Sequence, residues 1–81
     1  MSKITPQNVI STIEGALEVA PGTLDGDTRA DQVRSWDSVG QLSILVALDK
    51  LFDGKIANIR EMAEADSTSK ILALLKQHSL L

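Results

Sequence analysis

The residues most suited to a chemical role are Asp37 and Ser38, which directly precede an apolar run that begins at Val39. An aspartate and a serine in this position form a helix-capping signal, and Ser38 with Gln41 has the spacing of a capping box. A hydroxyl at the start of a helix also lies where free backbone N–H groups and the helix dipole favour negative charge. The sequence therefore predicts a helix start here and a position at Ser38 suited to a phosphate ester.

Two other chemistries are not expected. A nucleophilic serine needs a base, but the single histidine, His78, is predicted in the last turn of a C-terminal helix, and residues 36–40 lack the first glycine of a nucleophile elbow. Asp25-Gly26-Asp27 is similar to the beginning of a calcium loop, yet Trp36 stands where an EF-hand needs its bidentate glutamate. Neither a hydrolase nor a metal site is predicted.

Composition limits the function classes further. The chain has 81 residues, with 8 basic and 11 acidic side chains and a net charge of −3, so we expect one domain over residues 1–81 that does not bind nucleic acid. Cysteine is absent, which excludes disulfides and any thiol chemistry from the chain's own side chains. No apolar run is long enough for a signal peptide or a membrane span, so a soluble cytoplasmic protein is expected, with no membrane partner.

The distribution of apolar residues predicts an all-α protein. Trp36 and Phe52 are the only aromatic residues, so the core must be aliphatic, which favours packed helices over a β-sandwich. Start and stop signals predict four helices: one from Thr5-Pro6 to Pro21-Gly22, one over about 38–53 ending at Gly54, a short one capped by Asn58 and carrying Ile59, Met62 and Ala63, and a last one capped by Ser67 or Thr68. A long loop, residues 20–37, joins the first two and is expected to be pinned by Leu24 and Val33.

The second predicted helix has two apolar stripes rather than one. The first, here called the inner stripe, comprises Ile44, Leu45, Leu48, Leu51 and Phe52, and it is expected to face the core. The second lies roughly opposite and is called the outer stripe: Val39, Leu42 and Val46. Because the other helices of so small a bundle can bury only one stripe, the outer stripe is predicted to dock a protein partner. The alternative is that loop 20–37 folds over it.

These residues together resemble the acyl carrier protein family. Its attachment motif is Asp-Ser-Leu at the start of the second helix of a four-helix bundle, and the corresponding residues are Asp37-Ser38-Val39 followed by Leu42, Ile44, Leu45, Ala47, Leu48, Phe52 and Ile56. The similarity covers nearly the whole chain in length and in the order of its segments, including the loop with Leu24 and Asp27-Thr28. It implies a bundle of three main helices plus one short helix.

The resemblance also implies a function. In that family a phosphopantetheinyl transferase uses coenzyme A to place a 4'-phosphopantetheine arm on the motif serine, here Ser38, and the thiol of the arm carries acyl groups as thioesters. Asp37 would cap the helix and assist the transferase. Val39, Leu42, Val46 and Asp49 would contact the transferase, an acyl- or aminoacyl-activating ligase, and condensing enzymes or acyltransferases. The protein would be a carrier and not an enzyme, and its thiol would come from the cofactor.

Departures from the family pattern favour a specialised lipid, polyketide or secondary-metabolite pathway over housekeeping fatty acid synthesis. Ser43, Lys50 and Leu51 stand where fatty-acid carriers often have glutamates, Val39 replaces a leucine, and Gly40 weakens the first helical turn relative to alanine. Trp36 is expected to be a packed loop anchor rather than an exposed contact.

Two alternatives to an acyl carrier stay open. One is an aminoacyl or peptidyl carrier served by an adenylating ligase, and the other is a non-carrier helical interaction module. Ile13, Leu17, Ile56, Met62, Ile71 and Leu75 are expected to form a filled core, the alternative being a pocket for an acyl chain. The small apolar stripe flanked by charge predicts a monomer.

Overall fold

The computed structural model describes residues 4–81, which form three α-helices joined by loops and short 3-10 turns. The α-helices are α1 over Pro6–Leu17, α2 over Ser38–Leu51 and α3 over Thr68–Gln77. The 3-10 turns span Ala30–Gln32, Ile56–Asn58 and Arg60–Glu64. Within residues 4–81 there is no β-strand, so the all-α prediction is confirmed. No helix in this part of the chain is long and apolar enough to cross a membrane.

Helix α1 begins as predicted but ends earlier than predicted. The Thr5 side chain accepts a hydrogen bond from the Asn8 backbone N–H, the Asn8 side chain returns one to Thr5, and Pro6 follows at the first helical position. The helix ends at Leu17, before Pro21-Gly22, and its C-cap is Glu18 in the left-handed conformation with φ of 58°. The predicted stop at Pro21-Gly22 is therefore wrong by several residues.

The cause of the early end is visible at Glu14, a charged residue of α1 that is only 3% exposed. Its carboxylate accepts hydrogen bonds from the backbone N–H groups of Gly22 at 2.9 Å and Leu24 at 3.0 Å. The helix must end before residue 20 so that the chain can turn back and bring the Gly22 and Leu24 N–H groups to the Glu14 side chain. This contact, together with buried Leu24, pins the start of the long loop.

Loop 20–37 does not cover the outer stripe, so that alternative is wrong. Its backbone instead bonds to the start of α3: the Ala30 N–H donates to the Asp66 carbonyl at 2.7 Å, and the Thr68 N–H donates to the Thr28 carbonyl at 2.9 Å. The buried Thr68 hydroxyl adds a bond of 2.6 Å to the Asp25 carbonyl. Val33 is half-buried against the core.

The predicted short third helix is a pair of 3-10 turns, here called the 56–64 segment, and Asn58 does not cap it. Ile59 separates the two turns in an extended conformation, with φ of −104° and ψ of 93°. The buried residues of this region recur at every third position: Ile56, Ile59, Met62 and Ala65. This is the period of a 3-10 helix, whereas an α-helix would rotate these side chains progressively away from the core.

The core lies between the three helices and the 56–64 segment. Helix α1 packs most extensively on α2, and α3 packs on α1 and on the second turn of the 56–64 segment. The six residues predicted to fill the core are all buried, at 3% exposure or less: Ile13, Leu17, Ile56, Met62, Ile71 and Leu75. Ser67 caps α3 by accepting a hydrogen bond from the Lys70 N–H at 3.1 Å.

Candidate functional site

The first turn of α2 places Ser38 at the surface, and its cap is Asp37. The Asp37 carboxylate accepts a hydrogen bond from the Gly40 N–H at 2.9 Å, and the Asp37 carbonyl accepts one from the Gln41 N–H at 2.8 Å. Ser38 is the first helical residue and is exposed. The predicted capping box with Ser38 as the cap is therefore wrong. The N-cap is Asp37, one residue earlier, and its side chain already accepts the Gly40 N–H. The Ser38 hydroxyl is left free of the capping role.

The backbone around Ser38 suits an anion. The N–H groups of Ser38 and Val39 are among the first of α2 and have no acceptor within the helix. They point out of the N-terminal end of a 14-residue helix, where the macrodipole is positive. A phosphate ester on the Ser38 Oγ fits this position without displacing any buried side chain, because both Asp37 and Ser38 are exposed.

Gly40 allows the loop that precedes Ser38 to lie directly on α2. A Cβ atom at residue 40 would clash with the backbone carbonyl oxygen of Ser35 and would lie 2.9 Å from the Leu17 Cδ2 atom. Glycine therefore stands here because the Ser35 backbone occupies the space of a side chain. The cost to helix propensity expected from the sequence is offset by this close approach.

A polar network anchors the same loop from the other side. The Trp36 Nε1–H donates to the Gln41 Oε1 at 2.6 Å, and the Gln41 Nε2 donates to the carbonyls of Met62 and Ala65, each at 3.0 Å. Trp36 is only 5% exposed, which confirms its prediction as a packed loop anchor. Gln41 thereby joins the loop before Ser38 to the 56–64 segment.

The sequence pattern predicts Gln41 as part of a capping box and does not predict its bonds to Trp36 and to the 56–64 segment. Gln41 stands three residues before Ile44 and seven before Leu48, both fully buried, so it lies on the inner face of α2. A polar side chain on a core-facing stripe signals buried hydrogen-bond partners. That signal was present in the sequence, but it does not say which partners are used.

The outer stripe is exposed as predicted. Val39 is 74% exposed, Leu42 61% and Val46 49%, and they are the large apolar side chains that stand out on the described surface. The inner stripe is buried or half-buried. The exposed hydroxyl of Ser38 is thus followed along the same helix by an apolar surface, rimmed by Lys50 and Asp53, that the fold itself does not need.

Asp49, predicted as a docking residue, has a structural contact. One carboxylate oxygen accepts a hydrogen bond from the Ala57 N–H at 3.1 Å, and the Asp49 carbonyl accepts one from Gly54 at 2.7 Å. The side chain is half-buried and helps to fix the turn after α2, where Gly54 has φ of 82°. Asp49 therefore holds the 56–64 segment against α2.

A surface groove of about 280 Å³ runs between α2 and the 56–64 segment. It is mainly apolar and is lined by Leu45, Val46, Asp49, Ile56, Ala57, Ile59, Arg60 and Ala63. Val46 belongs to both the groove and the outer stripe, so the two surfaces are continuous.

A second, more polar cavity of about 520 Å³ lies between loop 20–37 and the start of α3. Two ion pairs line it: Arg29 pairs with Asp31 at 3.3 Å, and Lys70 pairs with Asp66 at 2.9 Å. The Lys70 ammonium lowers the pKa of Asp66 from its usual value. In the described part of the chain, no group of three or more His, Cys, Asp or Glu side chains is arranged to hold a metal ion.

Nearby in the loop, the Asp25 carboxylate accepts a hydrogen bond from the Asp27 N–H at 2.8 Å, and this bond lowers the pKa of Asp25, aided by the Thr28 hydroxyl. The bonds close a tight turn within the loop. The turn is local to residues 25–28, and the two ion pairs are exposed surface pairs, one within the loop and one at the start of α3.

The start of α2 combines an exposed hydroxyl, a free helix N-terminus and an adjacent apolar surface. Gly40, Trp36 and Gln41 hold this arrangement in place through contacts that are buried or half-buried. Comparisons of the chain with protein-family models, with curated proteins and with solved structures found no match.

Proposed function

We propose that this chain is a discrete acyl carrier protein with Ser38 as the attachment site of 4'-phosphopantetheine. The observation that carries the proposal is the position of Ser38: exposed, first in α2, and relieved of capping by Asp37. On this proposal the fold is a four-helix bundle of acyl-carrier type, in which the 56–64 segment takes the place of the short helix.

The modification is a phosphoryl transfer from coenzyme A. The Ser38 Oγ forms a bond to the phosphorus that carries pantetheine, the bond from that phosphorus to the adenosine side of the pyrophosphate breaks, and adenosine 3',5'-bisphosphate leaves with the bonding electron pair. The serine proton passes to a base of the transferase. The arm, when present, supplies a thiol for thioester chemistry, which the cysteine-free chain does not have.

The chain's own residues supply position and recognition. Asp37 holds the first turn of α2, so the Ser38 hydroxyl is presented at a defined point. The N–H groups of Ser38 and Val39 lie in the first turn of α2, where the helix N-terminus favours the negative charge of the phosphate diester. The outer stripe begins one residue after Ser38, so an enzyme bound to it has the attachment site within reach.

The outer stripe is suited to transient partners. Three separated aliphatic side chains offer far less apolar area than a permanent interface needs, and they favour short-lived complexes with several enzymes. The partners proposed are a phosphopantetheinyl transferase, an acyl- or aminoacyl-activating ligase, and condensing enzymes or acyltransferases. The mild charge of −3 favours a specialised pathway, with an acyl cargo as the main proposal and an aminoacyl cargo as its variant.

A helical interaction module is the competing function, and the exposure of Val39, Leu42 and Val46 favours it as well. In that case Ser38 would be an ordinary surface residue of a helix start. The two functions differ in whether the Ser38 hydroxyl is chemically used.

The test is the intact mass of the protein after incubation with coenzyme A and a broad-specificity phosphopantetheinyl transferase. We expect the wild type to gain one phosphopantetheinyl group, and Ser38→Ala and Ser38→Thr to gain none. Ser38→Ala is informative because the cap bond from Gly40 to Asp37 does not involve residue 38. Ser11→Ala, at an exposed serine of α1, is the matched control and should be modified normally.

Failure of the wild type to gain mass, under conditions that modify a known carrier, would refute the carrier function and leave the interaction module. Modification of Ser38→Ala would place the attachment at another residue.

A further inference from the structure

The side-chain amide of Gln41 connects Trp36, two residues before Ser38, to a distant part of the chain. Its backbone N–H donates to the Asp37 carbonyl at 2.8 Å, and its side-chain oxygen accepts the Trp36 Nε1–H at 2.6 Å. The backbone bond is the ordinary first bond of the helix, so the specific contribution of the Gln41 side chain is its bond to Trp36, next to the cap residue Asp37. The turn that leads into Ser38 is fixed from inside the helix.

The other end of the same amide reaches the 56–64 segment and the residue that follows it. Its NH₂ group donates to the carbonyls of Met62 and Ala65, which are 21 and 24 residues away in sequence. A glutamine amide has one acceptor oxygen and two N–H donors, and here all of them are used. Removal of this half-buried side chain leaves the Trp36 N–H and the Ala65 carbonyl without these partners, whereas the Met62 carbonyl keeps its backbone bond from the Ala65 N–H at 3.2 Å.

We propose that Gln41 is a positioning residue for the modification of Ser38, because it holds the Trp36–Asp37 turn against the 56–64 segment. This inference rests on the carrier function proposed above. Gln41 takes no part in bond making. It sets the direction in which the Ser38 Oγ approaches the phosphorus of coenzyme A on the transferase.

The geometry separates positioning from docking. Gln41 lies on the inner face of α2, whereas Val39, Leu42 and Val46 lie exposed on the outer stripe. Loss of the Gln41 bonds should leave the docking surface in place and let the Ser38 turn move. A transferase would then bind the carrier as before but find the hydroxyl misplaced, which lowers kcat and leaves KM nearly unchanged.

The experiment measures kcat and KM for phosphopantetheinylation of Gln41→Met, with coenzyme A and a broad-specificity transferase. Methionine keeps the approximate shape of the side chain and removes every hydrogen bond of the Gln41 amide, including a longer one of 3.4 Å to the Ala63 carbonyl. We expect kcat to fall about tenfold or more while KM for the carrier changes less than twofold.

The matched control is Thr68→Val, which removes the buried 2.6 Å bond from Thr68 to the Asp25 carbonyl, away from the Ser38 turn. All variants are assayed at a temperature where urea unfolding shows them fully folded. We expect Thr68→Val to keep the wild-type kcat. An equal fall of kcat in both variants would assign Gln41 a purely structural role and overturn the proposal.

A second variant, Trp36→Phe, removes the indole N–H together with part of the ring, and it leaves the Gln41 side chain its bonds to Met62 and Ala65. If Gln41 acts through Trp36, the double variant loses less rate than the product of the two single losses. Independent losses that multiply would overturn this mechanism. A wild-type protein that is not modified at all refutes the carrier function itself, whereas a modified wild type with an unimpaired Gln41→Met refutes only the positioning role.

Discussion

Replacing Gly40 by alanine tests the close approach that shapes the start of α2. In an ordinary exposed helix this change would be favourable, because alanine has a higher helix propensity by about 1 kcal/mol. Here the added methyl would overlap the Ser35 carbonyl oxygen and contact Leu17 at 2.9 Å. The Ser35 atom belongs to the backbone, so a side-chain rotation cannot relieve the overlap.

The magnitude follows from the two opposing terms. Inserting a methyl into a well-packed site costs about 1–3 kcal/mol, and the upper part of this range applies where backbone must move. Subtracting the propensity gain of about 1 kcal/mol leaves a net destabilisation of about 2 kcal/mol. For a domain of 81 residues, with a total stability of about 4–12 kcal/mol, this is a sizeable fraction.

The assay is urea unfolding followed by far-UV circular dichroism and by the fluorescence of Trp36, the single tryptophan. A loss of about 2 kcal/mol lowers the urea midpoint by about 1–2 M at an unchanged m value. Gly15→Ala is the matched control, because Gly15 lies exposed in α1 and a Cβ there meets nothing within 4 Å. We expect Gly15→Ala to be stabilising by up to about 1 kcal/mol.

A Gly40→Ala protein as stable as Gly15→Ala would refute the reasoning, since it would show that the Ser35 backbone is free to move away. The same variant bears on the site. Because Ser35 precedes Trp36 and Asp37, a shift of its carbonyl moves the turn that presents Ser38.

Two further predictions follow from the packing and the exposed surface. Glu14→Ala should lower the free energy of unfolding by about 1–3 kcal/mol, because it leaves the Gly22 and Leu24 N–H groups without their acceptor. A change below about 0.5 kcal/mol in urea unfolding would contradict that role. Leu42→Ser should raise the transferase KM for the carrier about tenfold, since a leucine side chain buried in the complex contributes about 1.5–3 kcal/mol. The free energy of unfolding should change by less than about 1 kcal/mol, because this position is exposed. An unchanged KM for Leu42→Ser would remove the outer stripe from transferase docking.

What could be predicted from the sequence is what depends on neighbours along the chain. The 3.6-residue period assigns Ile44 and Leu48 to the buried face of α2 and Val39 and Leu42 to the exposed face, and the structure has them there. Caps behave similarly, because the Thr5 side chain bonds to a backbone group only three residues away. These two kinds of contact are local, so residue type and spacing predict them in these cases, but the caps expected at Ser38 and Asn58 are wrong, because Asp37 caps α2 and no α-helix begins at Asn58.

The remaining features depend on groups distant in sequence. Gln41 bonds to carbonyls 21 and 24 residues away, and Gly40 is required by the Ser35 backbone and by Leu17 of another helix. The 56–64 segment forms 3-10 turns because every third residue must reach the common core, which outweighs the local preference for an α-helix. A local pattern states that a side chain is polar, small or apolar, but only the packed chain decides which partner lies opposite it.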